Sequence, residues 1–452
     1  MKTDILRKKY PKFFYQGYIY KHSGRDLHIS FDFAVPALSE VEGPPDISFH
    51  PKVIIKNVPQ KHPDIENLAF HLGLMEIPSY WKATCSPEIV IEAGYLNKKQ
   101  IQWWKDLIFK GMGEYFYRNK IVFTKPNFLT ITSSCPKPSL LKPSLSRMPK
   151  LGLDDRTMVP IGGGKDAVVT LELLKKGKGR IIPFLLNPKI EQEQILKIAG
   201  LKNPVVVTRA IDPKLLELNR KGYLNGHTPF SAYLAFLSVL CAALFNTKYI
   251  ALSNERSSNE GNVRYLGKTI NHQYSKSFDF EKRFRSYVKT YLIKGVEYFS
   301  FLRPLYELQI AKIFAQYPKY FSEFLSCNEA HKTRSGMKKP TGRWCGKCAK
   351  CLFVWLVLYP FIPEKQITNI FKKNLFQDKT LVPLLEELTG KKKFKPFECV
   401  GTTKESRTAL SLCHQKQKGE LPHDSILSSW NPVHTLPPRF SRLLSHAKIG
   451  GK

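Results

Sequence analysis

Acidic residues are scarce in this chain of 452 residues, with 37 Asp and Glu against 71 Lys and Arg and a formal net charge of +34. Such a field favours anionic partners, namely nucleic acid, acidic lipid or a multiply charged small molecule, although a solvated basic surface gives the same balance. Long apolar runs are missing too. The longest uncharged stretch, Pro229 to Lys248, holds the apolar run Phe230 to Phe245, short of the ~18 residues of a membrane span. It is expected to be a buried helix. Residues 1 to 30 carry lysines and arginines but no apolar segment, so no secretory signal is expected. Nine cysteines without an export signal argue for reduced thiols and a cytoplasmic location. With 42% apolar residues the chain can bury at least two ordinary cores.

Neither GxxxxGK[ST] nor GxGxxG can be laid over the most distinctive stretch, Met158 to Leu173, MVPIGGGKDAVVTLEL. It predicts a strand over Met158 to Ile161, a turn through Gly162, Gly163 and Gly164, then Lys165, Asp166 and a helix from Ala167. Backbone N–H groups at a helix start, backed by the helix dipole, form a cradle for phosphate. A plain glycine turn, with Asp166 as a helix cap, gives the same pattern. The spacing resembles the pyrophosphate loop of N-type ATP pyrophosphatases, SGGxDS, with Gly162 and Ala167 where hydroxyl residues are usual.

Residues 10 to 56 alternate as strands do, and residues 64 to 119 turn helical and aromatic, giving an N-terminal α+β domain over 1–132. ALSEVEGPP within it reads as a loop. A Pro/Ser/Lys-rich linker over 133–156 follows. From Thr157 strands (Met158 to Ile161, Arg180 to Leu186, Pro204 to Thr208, Lys248 to Ser253) alternate with helices (from Ala167, Glu191 and Phe230). The fold class expected is therefore α/β, a parallel sheet with helices on both faces, with ligands beyond the carboxyl ends of the strands. Asn187, Arg209, Asn254 and Glu255 fall at those ends. The second domain runs over 157–415, and 416–452 is expected to be a poorly ordered tail.

Cys327, Cys345, Cys348 and Cys351 carry the C-x2-C-x2-C spacing that closes a tetrahedron of thiolates around Zn²⁺, with an iron–sulfur cluster as the competing metal. Four cysteines leave zinc no open position, so the expected role is structural, clamping the basic loop HKTRSGMKKPTGR. Cys399, taken alone, reads as a packed thiol.

Taken together, GGGKDA, LSNERSSNEGN, NHQYSKSF, YFSFLRPLYELQIAKIF, WCGKCAKC and KPFECVGTTKES resemble the ATP-dependent UDP-N-acetylmuramoyl-L-alanyl-L-glutamate epimerases of bacterial cell-wall synthesis, the MurL type, over roughly residues 10 to 412. The resemblance implies an adenine nucleotide alpha-hydrolase-like core, ATP and Mg²⁺ as cofactors, and a UDP-muramoyl dipeptide as substrate. Its terminal L-glutamate would become D-glutamate as ATP is cleaved to AMP and pyrophosphate. Adenylation removes the carboxylate charge that makes an α-proton hard to abstract. In that scheme Gly162, Gly163 and Gly164 donate N–H groups, Lys165 neutralises pyrophosphate and Asp166 holds Mg²⁺. Asn254, Glu255, Asn259 and Glu260 are candidates for metal, ribose or substrate contacts, and His272, Tyr274 and Lys276 for facing the substrate. Cys399, Glu398, His272 and Glu260 are candidates for the two groups that exchange the proton.

Two rivals stand beside it. One is a tRNA thiolase or deazaguanine nitrile synthase of the same superfamily, which the charge favours and the motifs after Leu252 do not. The other is a zinc-stabilised binding protein whose loop no longer turns over ATP.

Overall fold

The computed structural model describes residues 2–38, 46–133, 152–331 and 344–449. Most of ALSEVEGPP, of the 133–156 linker and of the basic loop before Cys345 lies outside them. The strands are β1 Lys12–Ser23, β2 Asp26–Val35, β3 Ile47–Phe49, β4 Lys52–Ile55, β5 Glu88–Ile91, β6 Thr130–Ser133, β7 Asp154–Pro160, β8 Arg180–Leu186, β9 Val205–Ala210, β10 Thr247–Leu252, β11 Val263–Tyr265, β12 Lys268–Ile270 and β13 Glu297–Ser300.

Eleven strands form one mixed sheet in the order β13-β10-β7-β8-β9-β4-β2-β1-β5-β6, with β3 on β2. The run β9-β8-β7-β10-β13 is parallel throughout. Numbered along the chain, these five stand in the order 3-2-1-4-5, so the chain reverses direction between β7 and β10 and opens a crevice at their carboxyl ends. Both faces are covered, as expected. Met158, Phe184 and Ile250 face one core, shared with the helix Phe230–Leu244. Their neighbours Val159, Leu185 and Ala251 face the other, shared with the helices Lys165–Lys175 and Ile190–Ala199. Alternate side chains are thus buried on both sides, as a covered parallel sheet requires.

The N-terminal unit is joined to this sheet through β4, which pairs antiparallel with β9, Ile54 opposite Thr208. Its Phe31, Phe33 and Leu72 share a core with Phe236 and Leu240, so the expected division into two domains is marked by no break in the sheet or in this core. A buried bidentate ion pair reinforces the join, Arg209 Nε to Glu76 Oε1 at 2.8 Å and Nη2 to Glu76 Oε2 at 2.5 Å.

The expectation of a disordered tail is corrected. Residues Pro438–Ile449 form a helix whose Phe440 packs 4.7 Å from Phe299 and 5.2 Å from Tyr249, ring to ring, with Leu444 fully buried. Ile426, Leu436, Phe440 and Leu444 turn inward from a polar background. So few anchors escape a periodicity test although each removes a large apolar surface from water. No helix among the described residues is long and apolar enough to cross a membrane.

Candidate active site

The turn after β7 opens at the crevice. Gly163 has φ +84°, a left-handed conformation that a side chain would strain, and its carbonyl accepts a bond from Leu325 N at 2.8 Å. A Cβ on Gly164 would stand 2.6 Å from Ser326 Oγ. Gly164 caps the helix Lys165–Lys175 without a side-chain bond, so the helix N-terminus stays open for an anion.

A cavity of about 330 Å³ lies in front of it, lined by Gly162, Gly164, Asp166, Ala167, Asn254, Glu255, Lys276, Ser326, Lys350 and Cys399 among others. The structure thus brings Gly162, Gly164, Asp166, Asn254, Glu255 and Cys399 around one cavity. Asn254 is fixed by a 3.1 Å bond to Ser300 Oγ. Cys399, which alone had looked like a packed thiol, opens on this cavity, 3.3 Å from Lys276 Nζ.

Other candidates sit elsewhere. Lys165 turns inward, 1% exposed, with Asp166 Oδ1 at 2.5 Å and Glu307 as partners, so its charge is neutralised within the protein. Asn187 exchanges two bonds with the Arg209 backbone, tying β8 to β9. Glu260 bonds Lys395 and the Thr403 N–H at 3.0 Å each, which supports the start of the helix Thr403–Gln417. Asn259 and Tyr274 line a separate cavity of about 560 Å³. His272 is hydrogen-bonded to Glu114 Oε2 at 2.5 Å and is among the groups that lower the Cys399 thiol.

The charges are set by their surroundings. Burial, with Glu307 and Asp166 nearby, pushes Glu255 up to about 7 against Lys276 and Arg303, and its Oε1 is buried without a hydrogen bond among the described residues. Burial pushes the Cys399 thiol up, but Lys276, His272 and Lys350 outweigh it and hold the group near 6. A carboxyl raised toward neutrality and a thiol lowered toward it therefore face one cavity.

Arg303 was not singled out in the sequence, yet it organises this pair. Fully buried, it donates to the Glu255 carbonyl at 2.5 Å and the Lys276 carbonyl at 2.6 Å, and is held by Glu281 at 3.0 Å. Glu307, Lys350 and Glu114 were missed as well. Lys350 reaches the cavity because it stands between Cys348 and Cys351 at the start of the helix Ala349–Leu358.

The ligand atoms of Cys327, Cys345, Cys348 and Cys351 all lie within 4.8 Å of one another. The Cys345–Cys351 and Cys348–Cys351 sulfurs are 3.7 and 3.5 Å apart, close to the ~3.8 Å edge of a tetrahedron with Zn–S bonds of about 2.3 Å. This cluster can bind a metal ion. It also borders the site: Leu325 and Ser326 precede Cys327, and the Lys350 N–H bonds Glu398 Oε2 at 2.6 Å, next to Cys399.

Residues 5–301 match the profile of the MurL N-terminal domain and residues 323–432 that of the MurL C-terminal domain. The chain is 34% identical to the UDP-N-acetyl-alpha-D-muramoyl-L-alanyl-L-glutamate epimerase of a Micromonospora species, over 81% of this chain and 83% of that one. It is 35% identical to the epimerase of the same name from Xanthomonas oryzae pv. oryzae, over 79% and 76%, and 34% identical to that from Salinispora tropica, over 84% and 80%. With both domain profiles matched in order and relatives named epimerases matched over three quarters or more of their length, the chain belongs to the MurL family and is an isomerase of the epimerase type.

Proposed function

We propose that this enzyme converts the terminal L-glutamate of UDP-N-acetyl-α-D-muramoyl-L-alanyl-L-glutamate to D-glutamate, with ATP cleaved to AMP and pyrophosphate. The observation that carries the reading is the meeting of Glu255 and Cys399 in the cavity beneath the triple-glycine turn. Stereoinversion without an electron-sink cofactor needs one group to remove the α-proton and another to return a proton on the opposite face. Here burial raises the carboxyl and nearby cations lower the thiol, so both groups titrate near neutral pH and can exchange protons.

ATP fits the turn as co-substrate. The open N-terminus of the helix Lys165–Lys175 and the space in front of Gly162, where a Cβ would meet nothing within 4 Å, suit its phosphates. Asp166 is the carboxylate that would hold Mg²⁺, which neutralises phosphate charge during transfer to the substrate carboxyl. With Lys165 committed to Glu307, cations at the cavity come from Lys276 and Lys350 instead. Once the carboxyl is an acyl adenylate its negative charge is gone and the α-proton is acidified. Cys399, paired with Lys276, takes that proton, and Glu255 supplies one to the other face. Hydrolysis of the adenylate then releases the product.

Cys327, Cys345, Cys348 and Cys351 would hold Zn²⁺ in a structural role, and its binding would brace Ser326, Lys350 and Glu398 around the cavity. The reading is tested by supplying ATP, Mg²⁺ and the UDP-muramoyl dipeptide and following AMP, pyrophosphate and the configuration of the glutamate. Substrate-dependent AMP release with D-glutamate in the product supports it. ATP cleavage that responds to tRNA and not to the dipeptide overturns it.

A further inference from the structure

Cys399 is one end of a chain of buried polar groups that no part of the proton exchange yet uses. Behind it stands His272, one of the groups that lower the thiol, and behind His272 stands Glu114, whose Oε2 lies 2.5 Å from His272 Nδ1. Glu114 opens the short helix Gly113–Arg118 of the N-terminal part. It is 6% exposed and its other oxygen accepts from Arg118 Nε at 2.5 Å.

The backbone is built to hold these three together. Asn262 accepts from the His272 N–H at 2.8 Å and donates to the Pro396 carbonyl at 2.7 Å. Gln273 donates to the Val400 carbonyl at 3.2 Å. The loop after β12 and the loop bearing Cys399 are thus fixed to each other on both sides of the thiol. A nucleophile or base oriented by an imidazole, itself oriented by a carboxylate, is a recurrent way to fix a protonation state and a direction.

We infer that Glu114 and His272 are positioning residues that hold Cys399 as a thiolate aimed at the substrate, so that the N-terminal part of the chain is required for the chemistry and not only for the fold. This rests on the proposed function, in which Cys399 is one of the two exchange groups.

The charges facing the relay agree. Lys276, His272 and Lys350 face the thiol, with Glu398 its chain neighbour. Glu114, Cys399 and His227 face His272, whose proton burial alone would remove; the neighbouring Cys399 and Glu114 keep it, with a pKa of about 9. His227, its ring 4.2 Å from that of His272, is held down near 3 by burial and by His272, so it stays neutral and adds no competing cation. Against the cost of burial, His272 and Arg118 keep Glu114 ionised.

The test is the pH dependence of Cys399 alkylation by iodoacetamide, read on the Cys399 peptide by mass spectrometry in the full-length protein. Wild type is compared with Glu114→Gln, His272→Gln and Glu114→Asp. The expected result is a midpoint near 6 in wild type, raised by roughly 1–2 units toward the ordinary thiol value in the two Gln variants and partly restored in Glu114→Asp. The acid limb of kcat should shift with it while KM changes little. A destabilised but folded variant with an unchanged alkylation midpoint would give Glu114 a merely structural role and overturn the inference. So would a metal ion that survives Cys348→Ser and is lost in His227→Ala, because Glu114, His227 and His272 would then be ligands. Neither outcome touches AMP release by the wild type, which is what the proposed function stands or falls on.

Discussion

Lys165 and Glu307, 142 residues apart, meet in a buried ion pair beneath the glycine turn, and the second Glu307 oxygen receives Lys350 Nζ at 3.4 Å. One carboxylate therefore ties the turn to the segment that carries the metal-type cysteines. Removing one partner of such a group leaves an uncompensated buried charge, worth roughly 3–5 kcal/mol. Glu307→Gln is expected to lose stability on that scale in denaturant titrations and to lose activity with it. A loss no larger than that of a surface substitution would show that the pair bears little weight.

Activity is expected to peak between pH 6 and 7. The depressed Cys399 supplies a thiolate only above about 6, so rate falls as pH drops through that value. The raised Glu255 carries its proton only below about 7, so rate falls again as pH rises through it. A kcat/KM profile that climbs steadily to pH 9 would rule out Glu255 as the acid.

Glu255→Gln removes the proton donor and leaves the glycine turn intact. AMP release on adding ATP and the dipeptide is expected to persist, while inversion at the glutamate falls by 10²-fold or more, the usual scale for a lost general acid or base. Loss of both in equal measure would place Glu255 in nucleotide binding instead.

Asp166 is the cavity carboxylate nearest the turn in sequence, and Asp166→Asn is expected to abolish AMP and pyrophosphate release. Ala167→Ser, which adds a hydroxyl to a position lining the same cavity, is expected to tighten ATP binding several-fold. Full activity in Asp166→Asn would remove it from the mechanism.

Stripping the metal with a chelator, or Cys348→Ser, is expected to lower the melting temperature and to abolish activity together. Ser326, Lys350 and the Glu398–Cys399 loop all hang from that cluster. Retained activity in metal-free protein would separate the cluster from the site.

The parallel half of the fold was legible because its strands are short apolar runs and its helices are punctuated by glycine, so local pattern and tertiary placement agree. The same holds for the placement of the glycine turn and for the grouping of Cys345, Cys348 and Cys351, which nearby residues set. Glu114, Arg303, Glu307 and Lys350 could not be found that way. Each acts through partners far away in sequence, and a charged residue at the start of a largely apolar helix such as ELQIAKIF signals burial without naming the partner. Lys165 misled for a related reason, since a lysine beside a phosphate-type turn looks free until its carboxylate from another helix is known. Cys399 looked packed because the cations that turn it into a thiolate come from residues 272, 276 and 350.

The central claim is that ATP is consumed to make the glutamate α-proton exchangeable, and one reaction in D₂O tests it most directly. With ATP, Mg²⁺ and the UDP-muramoyl dipeptide, deuterium at the α-carbon and AMP should appear together, and omission of ATP should abolish both. Deuterium entering without ATP, or AMP accumulating while the α-carbon keeps its original hydrogen, would contradict the account.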